Sequence, residues 1–335
     1  MKMILTLVVP CFNEEEVIVE ATLQFTNLLQ KMITSGKISN KSRISYVDDG
    51  SKDSTWNMIN NLSQSNELVV GIKLSKNRGH QNAVLAGMMS VIGDAIITID
   101  ADLQDDINVI EKMVDEYRSG MDIVYGVRAN RSSDTVFIRN TAQIYYKMLS
   151  LFGVDMIYNH ADFRLMSRRT IESLRQYPEV NLYLRGIIPL IGFKTTCVEY
   201  SRKERYAGAS KYPFGKMLKL AVEGVTSFSV VPLQMITYIG FIVFIASLSI
   251  LVWVLSVALF TNQSVPGWAS TVLPIYFLGG LQLLCLGVIG SYLGKIYIES
   301  KSRPRYFIEQ TIGINSAKHT VDTNQFLKIA EHEQM

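Results

Sequence analysis

An α/β domain followed by membrane-embedded helices is predicted by three observations. Up to about residue 200, short apolar runs alternate with amphipathic stretches, the pattern of a sheet with crossover helices. Acidic and glycine-containing clusters recur where those runs end. Two later segments, 232–260 and 271–294, contain no charged residue at all. Each exceeds the roughly 20 residues that a helix needs to cross about 30 Å of hydrocarbon, so two transmembrane helices are expected rather than a buried hairpin.

The chain has 335 residues, 48% of them hydrophobic, enough for one large domain plus that appendage. A formal net charge of +3 with no long basic block excludes nucleic acid as the expected partner. Cys11, Cys197 and Cys285 lie far apart without Cys-x-x-Cys spacing, against both a disulfide framework and a thiolate metal site, and for a reducing compartment. The first apolar run, 4–9, is too short for a secretory signal and is interrupted by Pro10, Asn13 and three glutamates; it reads as a buried strand.

Further strands are expected at 44–47, 68–74, 95–99 and 123–126. Between them Asn13, Asp53 and Asp106 are placed to cap helices. Ligands of open α/β sheets sit beyond the carboxyl ends of the strands, and the polar motifs fall there. No Gly-x-Gly-x-x-Gly follows the first strand and no Walker A sequence occurs, which removes the dinucleotide-binding and P-loop readings.

Two motifs carry chemistry. In Asp100-Ala101-Asp102-Leu103-Gln104 a continued extended chain would project Asp100, Asp102 and Gln104 to one side, giving hard oxygen ligands for Mg²⁺ or Mn²⁺ that also bind substrate phosphates. Such a metal would neutralise charge growing on a leaving nucleotide, although capping acids in a surface turn would give the same letters. Asp105 and Asp106 read as solvated caps. In Val47-Asp48-Asp49-Gly50-Ser51-Lys52-Asp53-Ser54-Thr55, one carboxylate suits a base ring N–H and the other the neighbourhood of metal-bound phosphates. A turn plus a cap explains Gly50 to Thr55 without function, but not two adjacent acids after an apolar strand.

With Pro10-Cys11-Phe12-Asn13-Glu14-Glu15 and Lys76-Asn77-Arg78-Gly79, these motifs stand in the order and spacing of the inverting glycosyltransferases of family two, which the chain resembles and which have the GT-A fold. It is similar in particular to the polyprenyl-phosphate sugar transferases of the bactoprenol glucosyltransferase and dolichol-phosphate mannose synthase group. The shared residues are Gln104, Asp162-Phe163-Arg164-Leu165-Met166, Arg202, Arg205, Gly208, Ser210, Lys211, and the later Gly294-Lys295-Ile296-Tyr297 with Arg303-Pro304. The resemblance implies Pro10, Phe12, Glu14 and Asp48 around the nucleoside, Asp49, Arg78, Asp100 and Ala101 along the rest of the nucleotide-sugar, and Asp100, Asp102 and Gln104 at the metal. Asp162 would orient acceptor or sugar hydroxyls or act as a base, its alternative being a salt bridge to Arg164. Arg164, Arg202, Arg205, Ser210 and Lys211 would hold the acceptor phosphate. Where the family often has prolines after the glutamine, this chain has Asp105-Asp106-Ile107, which leaves the shape of that loop open.

The implied reaction moves a sugar, glucose from UDP-glucose by preference, onto polyprenyl (undecaprenyl) phosphate with inversion. The lipid-linked product would serve cell-envelope glycosylation such as lipopolysaccharide modification. UDP-N-acetylhexosamines and GDP-mannose are the other donors. A phosphate monoester is already largely dianionic at neutral pH, so alignment and leaving-group stabilisation matter more than a strong base. A processive polysaccharide synthase would need more spans and a Gln-x-x-Arg-Trp motif, which is missing; an inert membrane scaffold would be expected to lose Asp100, Asp102 or Gln104.

The chain then divides into a catalytic domain at 1–212, an amphipathic interface segment at 213–231, a two-helix transmembrane domain at 232–294 and a tail at 295–335, loosely ordered beyond about Lys301. Lys211, Lys216 and Lys219 precede the first span and Lys295, Lys301, Arg303 and Arg305 follow the second, whereas the connection between them has no Lys or Arg. The catalytic domain and both termini are therefore expected on the cytoplasmic side of an inner membrane. His80 and His160 are left without a role, His80 fitting a phosphate contact or a helix cap equally. Gly290 and Gly294 form a small-xxx-small pattern compatible with a homo-oligomer. A flippase and a transferase that uses the lipid-linked sugar would act downstream.

Overall fold

A computed structural model describes residues 2–128, 160–180, 183–200, 231–260 and 268–313. All five expected strands form: β1 (Leu5–Cys11), β2 (Arg43–Asp48), β3 (Val69–Leu74), β4 (Ala95–Thr98) and β5 (Ile123–Arg128). They are joined by β6 (His160–Ser167), β7 (Thr195–Tyr200) and β8 (Ile308–Ile312) in one mixed sheet of order β7-β5-β6-β4-β1-β2-β3-β8. β1 is parallel to both β2 and β4, so the strand order reverses beside it. That reversal opens a crevice at the carboxyl ends of β1 and β4, where the motifs lie.

β1 is buried along its whole length because helices cover both faces of the sheet. Leu5, Leu7 and Val9 pack with α1 (Ile18–Thr34), α2 (Thr55–Ser65) and α4 (Val109–Arg118), while Val8 packs on the other face with α3 (His80–Ser90), α5 (Arg168–Leu174) and α6 (Leu184–Leu190). The α3 contact is close: a Cβ at Gly87 would stand 2.4 Å from a Val8 methyl, so only glycine lets this helix lie so near the sheet.

The expected caps are displaced by one or more residues. α1 begins after Val17, α2 after Ser54 and α4 after Asn108, none with a side-chain cap. Asn13, Asp53 and Asp106 instead bind backbone N–H groups within the preceding loops, at Lys52, Thr55 and Asn108. These short polar side chains stabilise turns as readily as helix ends.

Two long helices follow, α7 (Val231–Phe260) and α8 (Trp268–Ser300). Among the described residues one stretch, Leu278–Ser300, is long and apolar enough to cross a membrane, and Val231–Val243 is a shorter apolar stretch. The interface segment at 213–230 lies outside the described residues.

The tail departs from expectation. Rather than loosening at Lys301, the chain returns to the α/β sheet as β8, antiparallel to β3, with Ser75 N–H donating to the Phe307 carbonyl and Lys73 paired with Glu309 at 3.2 Å, and residues 314–335 lie outside the described residues. Without β8 the polar edge of β3 would be unpaired, and that edge recruits a mostly polar strand that no hydrophobic pattern advertises.

Candidate active site

The loop after β1 and the loop after β2 are stitched together before any side chain faces a ligand. Asn13, at φ 56°, donates its backbone N–H to Ser51 Oγ at 3.0 Å and accepts from Lys52 N–H at 2.9 Å; Glu14 N–H donates to Thr55 Oγ1 at 2.9 Å. Gly50 sits at φ 70°, and a Cβ there would meet the Lys76–Asn77 backbone at 2.6 Å, so the motif's glycine is required twice over. Pro10 is buried in β1 and Phe12 is 42% exposed at its end.

Asp48 ends β2 fully buried. Its Oδ1 accepts from Ser51 N–H at 3.1 Å, but its Oδ2 is buried with no partner, and burial pushes the carboxyl above its ordinary range. Asp49 is used differently. Its two oxygens accept from the backbone N–H groups of Arg78 (2.7 Å) and Gly79 (2.8 Å), so it orders the turn that starts α3. The Arg78 guanidinium lines a cavity beside the end of α8.

The metal motif follows β4, though not in extended form. Residues 101 and 102 form a turn and Leu103 takes φ 57°, an unusual backbone for a leucine that its burial in the core holds in place. The expected one-sided projection of Asp100, Asp102 and Gln104 is thus corrected: Asp102 Oδ1 instead accepts from Gln104 N–H at 3.2 Å across the turn. Ala101 is buried beneath it.

Asp100 is half-exposed, and its carboxyl is raised by the enclosing cleft and by Asp162 and Asp102, with His80 opposing. Among the described residues no three His, Cys, Asp or Glu side chains are clustered tightly enough to hold a metal by themselves. Two hard carboxylates on one turn, with repulsion to relieve, nevertheless fit a divalent ion that completes its shell with substrate phosphates and water.

Opposite this turn stands Asp162 on β6, joined to two guanidiniums. Arg164 contacts its Oδ1, and Arg185 of α6 reaches it with Nε at 3.3 Å and Nη2 at 2.9 Å. Burial alone would raise this carboxyl, but Arg185 and Arg164 hold it well below the usual carboxylate range. His80 Nε2 lies 3.7 Å from both Asp100 and Asp162 and so bridges the two sides of the cleft.

Arg164, expected on the acceptor phosphate, is only 1% exposed between β4 and β5 and is paired with Asp162 there. Arg202, Arg205, Ser210 and Lys211 lie outside the described residues.

Asp105 is a second correction. It is 6% exposed, not a solvated cap, and accepts a hydrogen bond from Tyr200 OH at the end of β7, while Arg128 Nε donates to the same phenol oxygen at 3.4 Å. Burial raises the Asp105 carboxyl to about 6, with Asp100 adding and Tyr200 opposing. An acid with a raised native pKa binds more protons folded than unfolded, so its contribution to stability falls as pH rises from about 4 to about 6. In metal-free protein Asp105→Asn is expected to remove up to about 3 kcal/mol of that decline, read as a flatter melting-temperature profile from pH 4 to 7 than the wild type shows.

Arg185, Tyr200 and Arg128 were not singled out in the sequence. Arg185 had one visible signal, a lone charge within the apolar Leu184–Leu190.

A sequence profile described as Glycosyl transferase family 2 matches residues 6–175. The chain is 50% identical over 310 residues to the uncharacterized glycosyltransferase YkoT of Bacillus subtilis, covering 91% of both chains. It is 42% identical over 311 residues to the bactoprenol glucosyl transferase of Shigella phage SfX, covering 91% of this chain and 98% of that one. Among solved structures, the glucosyl-3-phosphoglycerate synthase of Mycobacterium tuberculosis is a remote likeness at 15% identity and a TM-score of 0.45, covering 67% of this chain and 76% of that one, and nothing is carried over from it. The crevice at the β1–β4 reversal, its two acid-bearing turns and a family match that runs from β1 through β6 make this chain a glycosyltransferase of family 2.

Proposed function

We propose that this enzyme transfers glucose from UDP-glucose to undecaprenyl phosphate at a membrane surface, with inversion at the anomeric carbon. The observation that carries the reading is one crevice with two chemically distinct ends. At one end, Asp48 keeps a buried carboxylate oxygen without a partner, placed to accept the ring N–H of a uracil, with exposed Phe12 beside it for base contact and Pro10 and Glu14 completing the wall. At the other, Asp100 and Asp102 gather negative charge. The name of the phage relative supplies the acceptor and the sugar.

Asp100, Asp102 and Gln104 would hold a divalent ion, Mg²⁺ or Mn²⁺, which would supply charge neutralisation to the departing nucleotide. The protein's own residues do the rest. The Asp49-ordered Arg78–Gly79 turn borders the phosphates. Asp162, held ionised by two guanidiniums, is a fixed anchor that orients hydroxyls; a carboxylate so far below neutral pH is a poor base, which favours orientation over proton removal. None is required, because the acceptor arrives as a phosphate largely dianionic at pH 7. Its oxygen attacks the anomeric carbon, the bond to the diphosphate oxygen breaks with its electron pair leaving on UDP, and an α-linked donor yields a β-linked lipid. Arg202, Arg205, Ser210 and Lys211 are proposed for the acceptor phosphate.

The same reading places α7 and α8 across an inner membrane as two spans, with the catalytic domain, the interface segment at 213–231 and both termini cytoplasmic, and with a homo-oligomer packed through Gly290 and Gly294. The charge-free lengths of both segments and the basic residues flanking them support it. Membranes carrying the full chain, given undecaprenyl phosphate and a panel of labelled UDP- and GDP-sugars, are expected to move label from UDP-glucose into the lipid extract and to stop when metal is chelated. Transfer from another donor alone would refute glucose; undiminished transfer in chelator would remove the metal.

A further inference from the structure

A cavity of about 460 Å³ lies between the start of α3 and the chain that leaves α8. Its size is that of a small-molecule site. Its walls carry four cationic side chains, Arg78, Lys301, Arg303 and Arg305, together with Asn82 and Tyr297. Arg78 Nε is buried with no hydrogen-bond partner, while Asn82 Nδ2 donates to the Arg78 carbonyl at 2.8 Å. Buried polar atoms are ordinarily satisfied, so an orphaned guanidinium N–H in a cavity indicates a missing acceptor.

Nearby acids do not fill that need. Glu299 already accepts from Val180 N–H at 2.7 Å, and Glu179 sits near Glu299 and Arg305. Among the described residues, no carboxylate pairs with Arg78, Lys301 or Arg303. Of the residues that line the pocket four are cationic and none is acidic, which leaves it positive.

The cations are also held in place. Lys301 Nζ stands 3.9 Å over the Tyr297 ring, Arg305 donates to the Tyr177 carbonyl, and the segment that carries them is tied at one end to α8 and at the other to β8 on the sheet edge. Arg forks and lysines arranged this way suit phosphate oxygens. The apolar stretch Leu278–Ser300 ends one residue before Lys301, so the pocket opens where a lipid headgroup would lie.

We infer that this pocket, formed by Arg78 of the catalytic domain and by Lys301, Arg303 and Arg305 beyond α8, binds a phosphate group, from an anionic lipid headgroup or a soluble phosphate. Occupancy would bridge the catalytic domain to the end of α8.

The test uses full-length protein in an uncharged detergent with chelator present, titrated by calorimetry with dihexanoyl phosphatidylglycerol, dihexanoyl phosphatidylcholine and inorganic pyrophosphate. Wild-type protein is expected to bind at least one of the two anions, and Lys301→Ala/Arg303→Ala to bind it about tenfold more weakly or worse, about 1.4 kcal/mol. Both positions are exposed, so the ligand-free melting temperature should hold; Arg303→Gln alone replaces the double variant should its fold be lost. A loss confined to phosphatidylglycerol identifies the lipid headgroup as the source, and a loss confined to pyrophosphate a soluble phosphate. Absence of anion binding in the wild type, equal binding by wild type and variant, or phosphatidylcholine bound as tightly as the anions would overturn the site. Binding is read without sugar transfer, so failure here is distinguishable from failure of the proposed reaction.

Discussion

Asp102→Ala is expected to lower transfer about 10²- to 10³-fold while leaving the catalytic domain folded. The size of the effect follows from what the carboxylate would do: with Asp100 and Gln104 it would make up the protein's hard-oxygen donor set, and loss of a single preorganised electrostatic contact at a developing charge typically costs about 10²–10³ in turnover. The structural cost is small by comparison. Asp102 is half-buried, and its hydrogen bond from Gln104 N–H is worth about 1 kcal/mol. Transfer and a thermal melt measured on one preparation separate the two. A variant that melts like the wild type yet keeps a tenth or more of its transfer would show that Asp102 does not hold the metal.

Asp162→Asn is expected to do the reverse, destabilising the catalytic domain by about 3–5 kcal/mol as well as impairing transfer. Arg164 is 1% exposed with two guanidinium nitrogens already lacking partners, and removing the carboxylate leaves that buried charge without its counter-ion. The pair's contribution is present above the ordinary carboxylate pKa and is lost as pH falls through the depressed native value, so the deficit should be constant from about pH 5 upward and shrink only in strong acid. Adding Arg164→Met, an apolar replacement of similar length, should restore much of the stability without restoring transfer. Denaturant unfolding of the single and double variants checks this, and a double variant no more stable than Asp162→Asn would show that the buried charge is not the cause.

The site was legible in unequal parts. Gly50, Asp48 and the acids after β4 could be read because each does local work next to its own strand, where a turn, a carboxylate and a short spacing leave a pattern in the letters. Asp162 was legible as important but ambiguous in role, since a base, an orienting group and a salt-bridge partner are all written Asp. Arg185 could not be found that way: it reaches Asp162 across 23 positions of chain, from a short helix with no motif. Asp105 was misjudged because its exposure is set by Tyr200, 95 residues away.

Local chemistry, then, sufficed for the strands, the carboxyl-end location of the crevice and the apolar segments, because hydrophobic periodicity and turn residues act over a few positions, whereas the reaction class came from the family resemblance of the motifs taken together. What only the folded chain decided were the pairings across the sheet: that Leu103 breaks the extended projection of the metal motif, that two guanidiniums keep Asp162 ionised, that Arg164 is buried behind it, and that Ile308–Ile312 completes the β3 edge. Burial and charge pairing depend on which distant segments meet, and a carboxylate's pKa or an edge strand's partner is a property of that meeting rather than of the residues on either side of it.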